Sequence, residues 1–328
     1  MKVLFIGGTG NISTACSELA VERGMDLYLL NRGQREVEIA GAKSIVADIH
    51  DPAEAAKAVE GHTFDAVVNF IAFSEADIER DLALFGGRAK QYVFISSASV
   101  YQKPLVHPIV TESTPLRNPY WEYARKKIAC EERLNRAYRE EGFPAVIVRP
   151  SLTYDTVIPL AIGSWGDVTM IERMRQGRPV VVQGDGSSLW TITHAADFAK
   201  GLVGLLGNQE AVGHPFHITS DELLTWDQIW QYTAAAAGCE AKIVHVPSDF
   251  IAEVAPGQKG GLLGDKSWSA IFDNSKIKRF VPGFEATIPY REGIKRTLAW
   301  FEEKPGRQRI VDGHDEIHDK ILAAWGRK

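Results

Sequence analysis

The first 150 residues alternate short apolar runs, rich in β-branched residues, with segments whose apolar residues recur at helical spacing. The apolar runs are VLFI, LYLL, SIVA, FDAVVNFI, QYVFIS and AVIVR. Alternating strands and helices form parallel sheets with helices on both faces, and strands buried on both faces are apolar throughout. The pattern therefore predicts an α/β fold with a doubly wound parallel sheet.

A glycine-rich turn, IGGTGNIS, joins the first predicted strand to a helix predicted from Asn11 to Arg23. Gly7, Gly10 and Ser13 have GxxGxxG spacing, with serine at the third position. In nucleotide-binding turns the first glycine permits the tight turn, the second lets the backbone approach a pyrophosphate, and the third brings helix and strand together. Because a strand precedes the turn and a helix follows it, the turn favours a Rossmann-type dinucleotide site over a structural loop.

After Pro150 the alternation weakens, although the run HPFHIT at 214–219 predicts a further strand and a helix is predicted from Thr225. We therefore predict a dinucleotide-binding Rossmann domain of residues 1–152 and 178–222. Residues 153–177 and 223–328 are expected to form a smaller substrate-binding domain. The glycine-rich stretch from Val254 to Asp265 predicts a mobile loop.

The second predicted strand ends in Asn31-Arg32-Gly33, without a carboxylate where the adenosine ribose would bind. A carboxylate there would repel a 2′-phosphate, whereas a guanidinium pairs with it. Arg32 therefore favours NADP as cofactor, and NAD remains possible if Arg32 is solvated and Asn31 binds the ribose. Asp48, after the strand SIVA, is placed either to accept a hydrogen bond from the adenine amino group or to cap the helix beginning near Pro52.

Tyr123 and Lys127 form a YxxxK pair, which places both side chains on one face of a helix. A lysine ammonium stabilises a nearby phenolate, so we expect the pKa of Tyr123 to lie below its usual value of about 10. The hydroxyls of SSAS, residues 96–99, follow the strand QYVFIS. Ligands of open α/β sheets bind at this edge, and the combination predicts a site for proton transfer.

These motifs together resemble the extended short-chain dehydrogenase/reductase superfamily and, within it, the NAD-dependent epimerase/dehydratase family. The resemblance rests on GGTGNIS, Asp48, SSASVY, YARKK, Arg149-Pro150, GDG at 184–186, THAAD at 193–197, DNSK at 273–276 and YREGI at 290–294. It covers almost the whole chain. It implies an NAD(P)-dependent oxidoreductase or epimerase that exchanges a hydride between the nicotinamide and a carbon bearing a secondary alcohol.

The resemblance also implies roles for single residues. Tyr123 would be the acid/base and Lys127 would tune its pKa and bind the nicotinamide ribose. Ser97 would hydrogen-bond the reacting oxygen, with Ser96 and Ser99 as alternatives. The implied cofactor-binding residues are Gly7, Gly10, Asn11, Ile12, Asn31, Arg32, Asp48, Ile49, Phe70, Ile71, Ala72, Tyr123, Lys127 and Pro150.

Two positions depart from the nucleotide-sugar members of this family. Leu152 and Trp190 stand where those members carry an asparagine and an arginine that hold the pyrophosphate. Leucine offers no donor, and an indole offers one uncharged N–H. We therefore expect a carbohydrate-like substrate that is not a nucleotide sugar, with a nucleotide-sugar epimerase or dehydratase as the alternative. The candidate substrate residues are His107, Trp121, Leu152 and Trp190, whereas Trp165 is expected in the core.

The histidines do not predict a metal site. His194 is expected to pack within its turn, and Asp197 is expected to cap the helix that follows. The group of histidines and acids from His314 to Asp319 has ligand-like spacing, but a terminal, charged helix usually presents such a group to solvent. We assign no metal ligand.

The 328 residues include 37 basic and 42 acidic side chains, a net charge of −5, and three widely spaced cysteines. This composition offers no basic surface for nucleic acid or an anionic membrane and no disulfide framework. No apolar run approaches the ~18 residues of a membrane span. We expect a cytoplasmic protein with a small-molecule substrate.

Two non-catalytic alternatives share the scaffold: an RNA-binding protein similar to the chloroplast stem-loop binding relatives, and a redox sensor that binds cofactor without turnover. The resemblance also implies a homodimer formed through the helices from Glu75 to Phe85 and from Tyr120 to Tyr138. Ile128 and Leu134 are candidate contacts across that interface.

Overall fold

The computed structural model of the chain describes residues 1–34, 37–163 and 165–327. Its strands are β1 (Lys2–Ile6), β2 (Asp26–Asn31), β3 (Lys43–Val46), β4 (Ala66–Asn69), β5 (Tyr92–Ile95), β6 (Ile109–Val110), β7 (Ala145–Pro150), β8 (Leu152–Tyr154), β9 (Val180–Gln183), β10 (Leu189–Trp190), β11 (Ile192–His194), β12 (Pro215–Ile218), β13 (Leu224–Thr225), β14 (Ile243–Val246) and β15 (Ile271–Phe272). Its helices are α1 (Ser13–Glu22), α2 (Pro52–Ala58), α3 (Glu75–Phe85), α4 (Glu122–Glu141), α5 (Thr169–Arg175), α6 (Ala195–Leu205), α7 (Trp226–Ala236), α8 (Ser248–Val254), α9 (Lys259–Gly261), α10 (Ser275–Phe280), α11 (Tyr290–Glu303) and α12 (Asp312–Trp325).

Across the described ranges, a central sheet of seven strands has the order β12–β7–β5–β4–β1–β2–β3. Every pairing between its neighbours is parallel, which confirms the predicted doubly wound sheet. The strand order reverses between β1 and β4. In open sheets of this kind, ligands bind in the crevice beyond the carboxyl ends of the strands at such a reversal.

The uniform apolar character of the strands follows from burial on both faces. In β1, Val3 and Phe5 belong to a core cluster that includes residues of α1 and α6. Leu4 and Ile6 point the other way, into a cluster that includes residues of α3 and α4. Alternate residues of one strand therefore enter two different cores, so neither face can be polar.

The second part of the molecule is built from short strand pairs, β6–β15, β8–β11, β9–β14 and β10–β13, around a separate core. The predicted domain boundary at residue 178 differs from this arrangement, because β9 pairs with β14 rather than with the central sheet. Similarly, β10 pairs with β13. The chain returns to the central sheet at β12. Among the helices described, none combines the length and the apolar character that crossing a bilayer requires.

The mobile loop predicted from Val254 to Asp265 is wrong. This stretch is largely helical, with α9 followed by one turn of π-helix at Leu262–Lys266. Two of its glycines pack on Trp121: a Cβ would lie 2.5 Å from that side chain at Gly260 and 2.8 Å at Gly264. The glycines therefore permit close packing rather than mobility.

The cap assigned to α6 also differs from the prediction. The Nδ1 atom of His194 accepts the hydrogen bond from the Ala196 amide at 3.2 Å, so His194 is the capping residue. Asp197 is buried, pairs with Lys200 at 2.6 Å and accepts from the amide of Ile288 at 2.8 Å. Its carboxylate therefore fastens α6 to the segment before α11.

The carboxyl-terminal helix α12 is docked along one side, which corrects the expectation for His318, whereas Glu316 and Asp319 are exposed as expected. Asp315 and Asp319 pair with Arg173 of α5 at 2.6 and 2.7 Å. His318 is fully buried, and its Nδ1 accepts from the Val181 amide at 2.9 Å. These contacts bury His318 and hold α12 against α5 and β9.

This burial predicts acid sensitivity. Burial, with a smaller effect of Arg173, lowers the pKa of His318 from 6.5 to about 4. The unfolded chain therefore binds this proton first, and stability should fall as the pH drops from about 6.5 to about 4, by roughly 3 kcal/mol from this residue. Urea unfolding across that range should show a smaller loss in His318→Asn than in wild type. His50→Asn, at an exposed histidine, should behave as wild type, and equal pH profiles for all three would contradict the assignment.

The α3 and α4 helices pack side by side, but Leu134 does not face outwards as the predicted dimer contact requires. It is fully buried among residues of α3 and the sheet. The outer side of the helix pair carries ion pairs, including Arg133 with Glu79 at 2.5 Å. Ile128, which is half-buried, is the candidate contact that remains.

Candidate active site

The carboxyl ends of β1, β4 and β5 open into a cavity of about 810 Å³ that extends to the second part of the molecule. The predicted site residues that line it are Gly7, Gly10, Asn11, Ile12, Asn31, Arg32, Asp48, Ile49, Phe70, Ile71, Ser97, Trp121, Tyr123, Lys127, Pro150, Leu152 and Trp190. The structure does not bring His107 to the cavity: it is exposed, and its Nδ1 accepts from the Ile109 amide at 3.1 Å. Ala72 lies buried behind the wall and acts through its carbonyl.

The glycine turn has the geometry its spacing predicts. Gly7 has φ = 82°, and a Cβ on it would lie 2.6 Å from Ile71, so a side chain is excluded by both conformation and space. The hydroxyl of Ser13 accepts from the Gly10 amide at 2.7 Å and donates to the Gly7 carbonyl at 2.6 Å. Helix α1 accordingly begins at Ser13. The serine in the third glycine position therefore braces the turn internally.

Asn11 has a role that sequence reasoning missed. Its side-chain amide donates to the Thr153 carbonyl at 3.1 Å and accepts from the Thr156 amide at 3.2 Å. These bonds attach the glycine turn to the chain segment around β8. Because the side chain of Asn11 already makes these two hydrogen bonds, we expect its backbone N–H to make the predicted cofactor contact.

At the far end of the cavity, Arg32 is exposed and lies at the cavity wall. The side-chain oxygen of Asn31 accepts a hydrogen bond from the Gly33 amide at 2.9 Å. Asp48 does not cap α2, since Asp51 accepts from the amides of its first turn at 2.9 and 3.0 Å. Arg32 and Asp48 are therefore both placed at this end of the cavity, where the sequence predicts the adenosine.

The three serines after β5 have different surroundings. Ser96 also lines the cavity, but it is buried and its hydroxyl donates to Glu131 at 2.5 Å. Ser97 is half-buried, and its hydroxyl accepts from the amide and hydroxyl of Ser99 at 3.2 and 2.9 Å. Since Ser99 is itself buried, Ser97 is the serine whose hydroxyl is best placed to meet a reacting oxygen.

Helix α4 carries Tyr123 and Lys127 one turn apart beside this serine. The Lys127 ammonium is buried and donates to the carbonyls of Ala72 at 2.6 Å and Ile95 at 2.8 Å. It lies 4.4 Å from the ring centroid of Phe73 and 5.9 Å from that of Tyr123. Two of its three N–H groups thus hold it at the ends of β4 and β5, and the described residues supply no acceptor for the third.

The expectation of a lowered tyrosine pKa is wrong for the protein alone. Burial raises the pKa of Tyr123 to about 12, a hydrogen bond with Ser97 acts in the opposite direction, and the charge of Asp265 adds to the rise. Burial also lowers the pKa of Lys127 to about 8. The lysine is too far from the phenolic ring to outweigh the loss of solvent, so the phenol carries its proton at neutral pH.

Sequence reasoning missed part of the cavity wall. Trp165, expected in the core, is 38% exposed and lines the cavity. The cavity is also lined by Asp265, which lies in the stretch predicted to be a mobile loop, and by Lys266, for which the sequence predicts no role. A charged pair after an apolar, glycine-rich stretch was the available signal. Trp190 is buried and stacks on Trp226, although one side of it faces the cavity.

The model of the NAD dependent epimerase/dehydratase family matches residues 3–219, about two thirds of the chain. The chain belongs to this family. It is therefore an enzyme of the extended short-chain dehydrogenase/reductase type, as the motifs indicate. Family membership accounts for the sheet order and for the placement of Ser97, Tyr123 and Lys127 at one edge of the sheet.

Among characterised relatives, 2'-dehydrokanamycin reductase of Streptomyces kanamyceticus is 25% identical over 87% of this chain and 80% of its own length. Chloroplast stem-loop binding protein of 41 kDa b of Arabidopsis thaliana is 25% identical over 76% of this chain and 67% of its own. Among solved structures, UDP-glucuronic acid 4-epimerase of Bacillus cereus in complex with NAD superimposes with a TM-score of 0.70 at 15% identity, covering 94% of this chain and all of that one. The last likeness shows the fold alone.

The residues of this epimerase/dehydratase family member fit a nicotinamide dinucleotide. The glycine turn at the amino end of α1 lines the cavity, and Ile12 supplies no side-chain cap there, so the backbone N–H groups of the helix end can bind a phosphate group. At the other end of the cavity, the free N–H of Lys127 and the hydroxyls of Ser97 and Tyr123 face the same space. Pyrophosphate and nicotinamide ribose would therefore each find suitable donors.

Proposed function

We propose that the protein is an NADP-dependent reductase of a carbohydrate-like ketone that is not a nucleotide sugar. The observation that carries the proposal is the convergence of Ser97, Tyr123 and Lys127 on one cavity wall with the phenol protonated. A protonated phenol serves as the acid when a carbonyl oxygen becomes a hydroxyl. The relative named as a reductase supports this direction of reaction.

In the proposed mechanism, a nicotinamide held in the cavity would supply the hydride that the carbonyl carbon receives. Ser97 donates a hydrogen bond to the carbonyl oxygen and orients it toward Tyr123. Tyr123 transfers its phenolic proton to that oxygen as negative charge develops on it. Lys127, held by the carbonyls of Ala72 and Ile95, stabilises the phenolate that results, and its third N–H would hold the nicotinamide ribose.

The substrate class is inferred from what the cavity wall offers. Leu152 supplies no donor, and Trp190 supplies one indole N–H that has no partner among the described residues. Neither can neutralise a diphosphate. Trp121 and Trp165 add aromatic surface, on which the apolar face of a polyol ring can stack. A compact ring bearing hydroxyls suits this wall better than a nucleotide-linked sugar.

The test measures turnover of a panel of cyclic polyol ketones with NADPH. Turnover is monitored by the absorbance of the reduced nicotinamide, and the alcohol product is identified by mass spectrometry. We expect oxidation of the cofactor with at least one ketone. Cofactor binding without turnover on any ketone would favour a redox sensor instead. Salt-dependent retention of RNA in a filter assay would favour the RNA-binding alternative.

The cofactor preference gives a separate prediction. Replacing Arg32 by alanine should weaken NADPH binding by about tenfold or more and leave NADH binding within about twofold, because the guanidinium contacts a 2′-phosphate that NADH lacks. Thermal stabilisation by each cofactor measures both affinities. Arg23→Ala, at the exposed end of α1, is the matched control. Equal losses for both cofactors would show that Arg32 does not read the phosphate.

We also propose that two copies pair through α3 and α4. The outer side of these helices carries the ion pairs of Glu79 and Arg133 and, more loosely, of Glu75 and Arg136 at 3.9 Å. Such an interface would be polar at its rim, with Ile128 as an apolar contact.

A further inference from the structure

The π-helical turn Leu262–Lys266 brings a carboxylate and an ammonium to the cavity wall. Asp265 and Lys266 line the same cavity as Ser97 and Tyr123. The Lys266 ammonium lies 5.5 Å from the centroid of Trp121, and that ring lies 5.0 Å from the ring of Tyr123, which places the pair at the reacting end rather than at the adenosine end. These two side chains are therefore within the space that a substrate would occupy.

The position of this turn is fixed by the surrounding structure. The Lys266 carbonyl accepts from the indole N–H of Trp226 at 3.0 Å. The side-chain amide of Asn118 donates to the Gly264 carbonyl at 2.7 Å and to the Ser99 carbonyl at 2.8 Å. One asparagine thus joins the π-helical turn to the serine loop, and the two charged side chains are held in a defined place.

Lys266 is poorly compensated for a buried cation. Its side chain is 6% exposed, and its nearest carboxylate oxygen, on Asp265, is 3.7 Å away, beyond good hydrogen-bonding distance. Its ammonium instead lies over two indole rings, 5.5 Å from the centroid of Trp121 and 5.6 Å from that of Trp165. Cation–π contacts stabilise part of its charge, but they do not provide its N–H groups with the hydrogen-bond acceptors that an anion would provide.

A second buried lysine makes the imbalance larger. Lys103 is 1% exposed, and burial lowers the pKa of Lys103 and of Lys266, while the charge of Asp265 acts against that fall at both lysines. With both lysines protonated, the cluster would carry two positive charges against one carboxylate. An uncompensated buried charge is costly, and one monoanionic ligand group would balance this cluster.

Building on the function proposed above, we infer that the substrate carries one carboxylate, which Lys266 binds between Trp121 and Trp165. Asp265 then accepts a hydrogen bond from a neighbouring substrate hydroxyl. A carboxylate suits the cluster better than a phosphate does, because one negative charge balances it and two would overcompensate. Because the Lys266 side chain is only 6% exposed, solvent would screen this ion pair less than it screens a pair at the surface.

The test compares D-glucuronate with D-glucuronamide, which differ in charge at one carbon, by calorimetric titration of the holoenzyme with its cofactor bound. Wild type should bind the acid about tenfold or more tightly than the amide. Lys266→Gln should reduce that preference to within about twofold. Lys259→Gln, an exposed lysine of the same segment, should retain it, and Lys266→Met serves if the glutamine variant does not fold.

The inference is overturned if wild type binds the acid no better than the amide, or binds neither of them. It is also overturned if the Lys266 variants keep the preference for the acid. The titration requires no turnover. The inference of a substrate carboxylate can therefore fail while the cofactor and Tyr123 behave as proposed. A failure of the reductase proposal is recognised separately, because no ketone would then be turned over.

Discussion

Replacing Tyr123 by phenylalanine should lower the turnover number by about 10²–10⁴-fold, the usual contribution of a positioned acid or base. The ring is retained, so its contacts with Trp121 and Phe73, whose centroids lie 5.0 and 6.4 Å away, should persist. Cofactor affinity should therefore change by no more than about twofold. Steady-state kinetics and a cofactor titration measure the two quantities separately.

The same tyrosine predicts a pH profile whose direction depends on the reaction. Because its pKa is raised to about 12, the phenol is protonated throughout the neutral range. Reduction, which needs the acid form, should be nearly independent of pH there, whereas oxidation of the alcohol should become faster as the pH rises. Tyr138→Phe, on the exposed side of the same helix, is the control. A Tyr123→Phe enzyme with undiminished turnover would remove the proposed proton transfer.

Replacing Glu131 by alanine should reduce the free energy of unfolding by about 3–5 kcal/mol, the cost of leaving a buried charge without its partner. Glu131 is fully buried and accepts from the Arg149 guanidinium at 2.6 Å and from Ser96 at 2.5 Å. Burial alone would lower the pKa of Arg149, but Glu131 outweighs this effect and raises it, so Arg149 is charged. Without Glu131, Arg149 would keep its charge in a buried site.

Urea unfolding of three variants distinguishes this cost from a general effect on α4. Glu132→Ala, at the next and exposed position, should change stability by less than about 0.5 kcal/mol. The double variant Glu131→Leu with Arg149→Met should recover most of the loss, because it removes both charges together. A double variant as unstable as the single one would mean that shape, rather than charge, dominates at this site.

The fold and the nucleotide side of the site were predictable because they depend on local patterns. Strands buried on both faces, a glycine turn after β1 and the spacing of Tyr123 and Lys127 are each contained in a few consecutive residues. The structure places these features at one sheet edge, as such patterns require. The choice of Ser97 over Ser96 agrees with the different partners of the two hydroxyls.

The substrate side was less predictable because it depends on contacts between distant segments. The stretch 254–265 is rich in glycine, and nothing within it shows that Trp121 fills the space beside Gly260 and Gly264. Similarly, His318 is buried against Val181 and Trp230, and Arg173 pairs with the acids beside it, all of them distant in the sequence. The pKa of Tyr123 depends on how much solvent the completed fold removes, which spacing alone does not encode.

The amide of Asn118 spans the two halves of the molecule at the reacting centre, through the carbonyls of Ser99 and Gly264. If the part of the chain that contains Gly264 were replaced by that of another family member, to obtain a new substrate range, the Asn118 amide would lose an acceptor or the loop of residues 96–99 would shift. Changes of specificity in this scaffold are better sought by altering single side chains of the cavity wall. In the function proposed here, the residues that transfer the proton and those that select the substrate are therefore joined by one side chain.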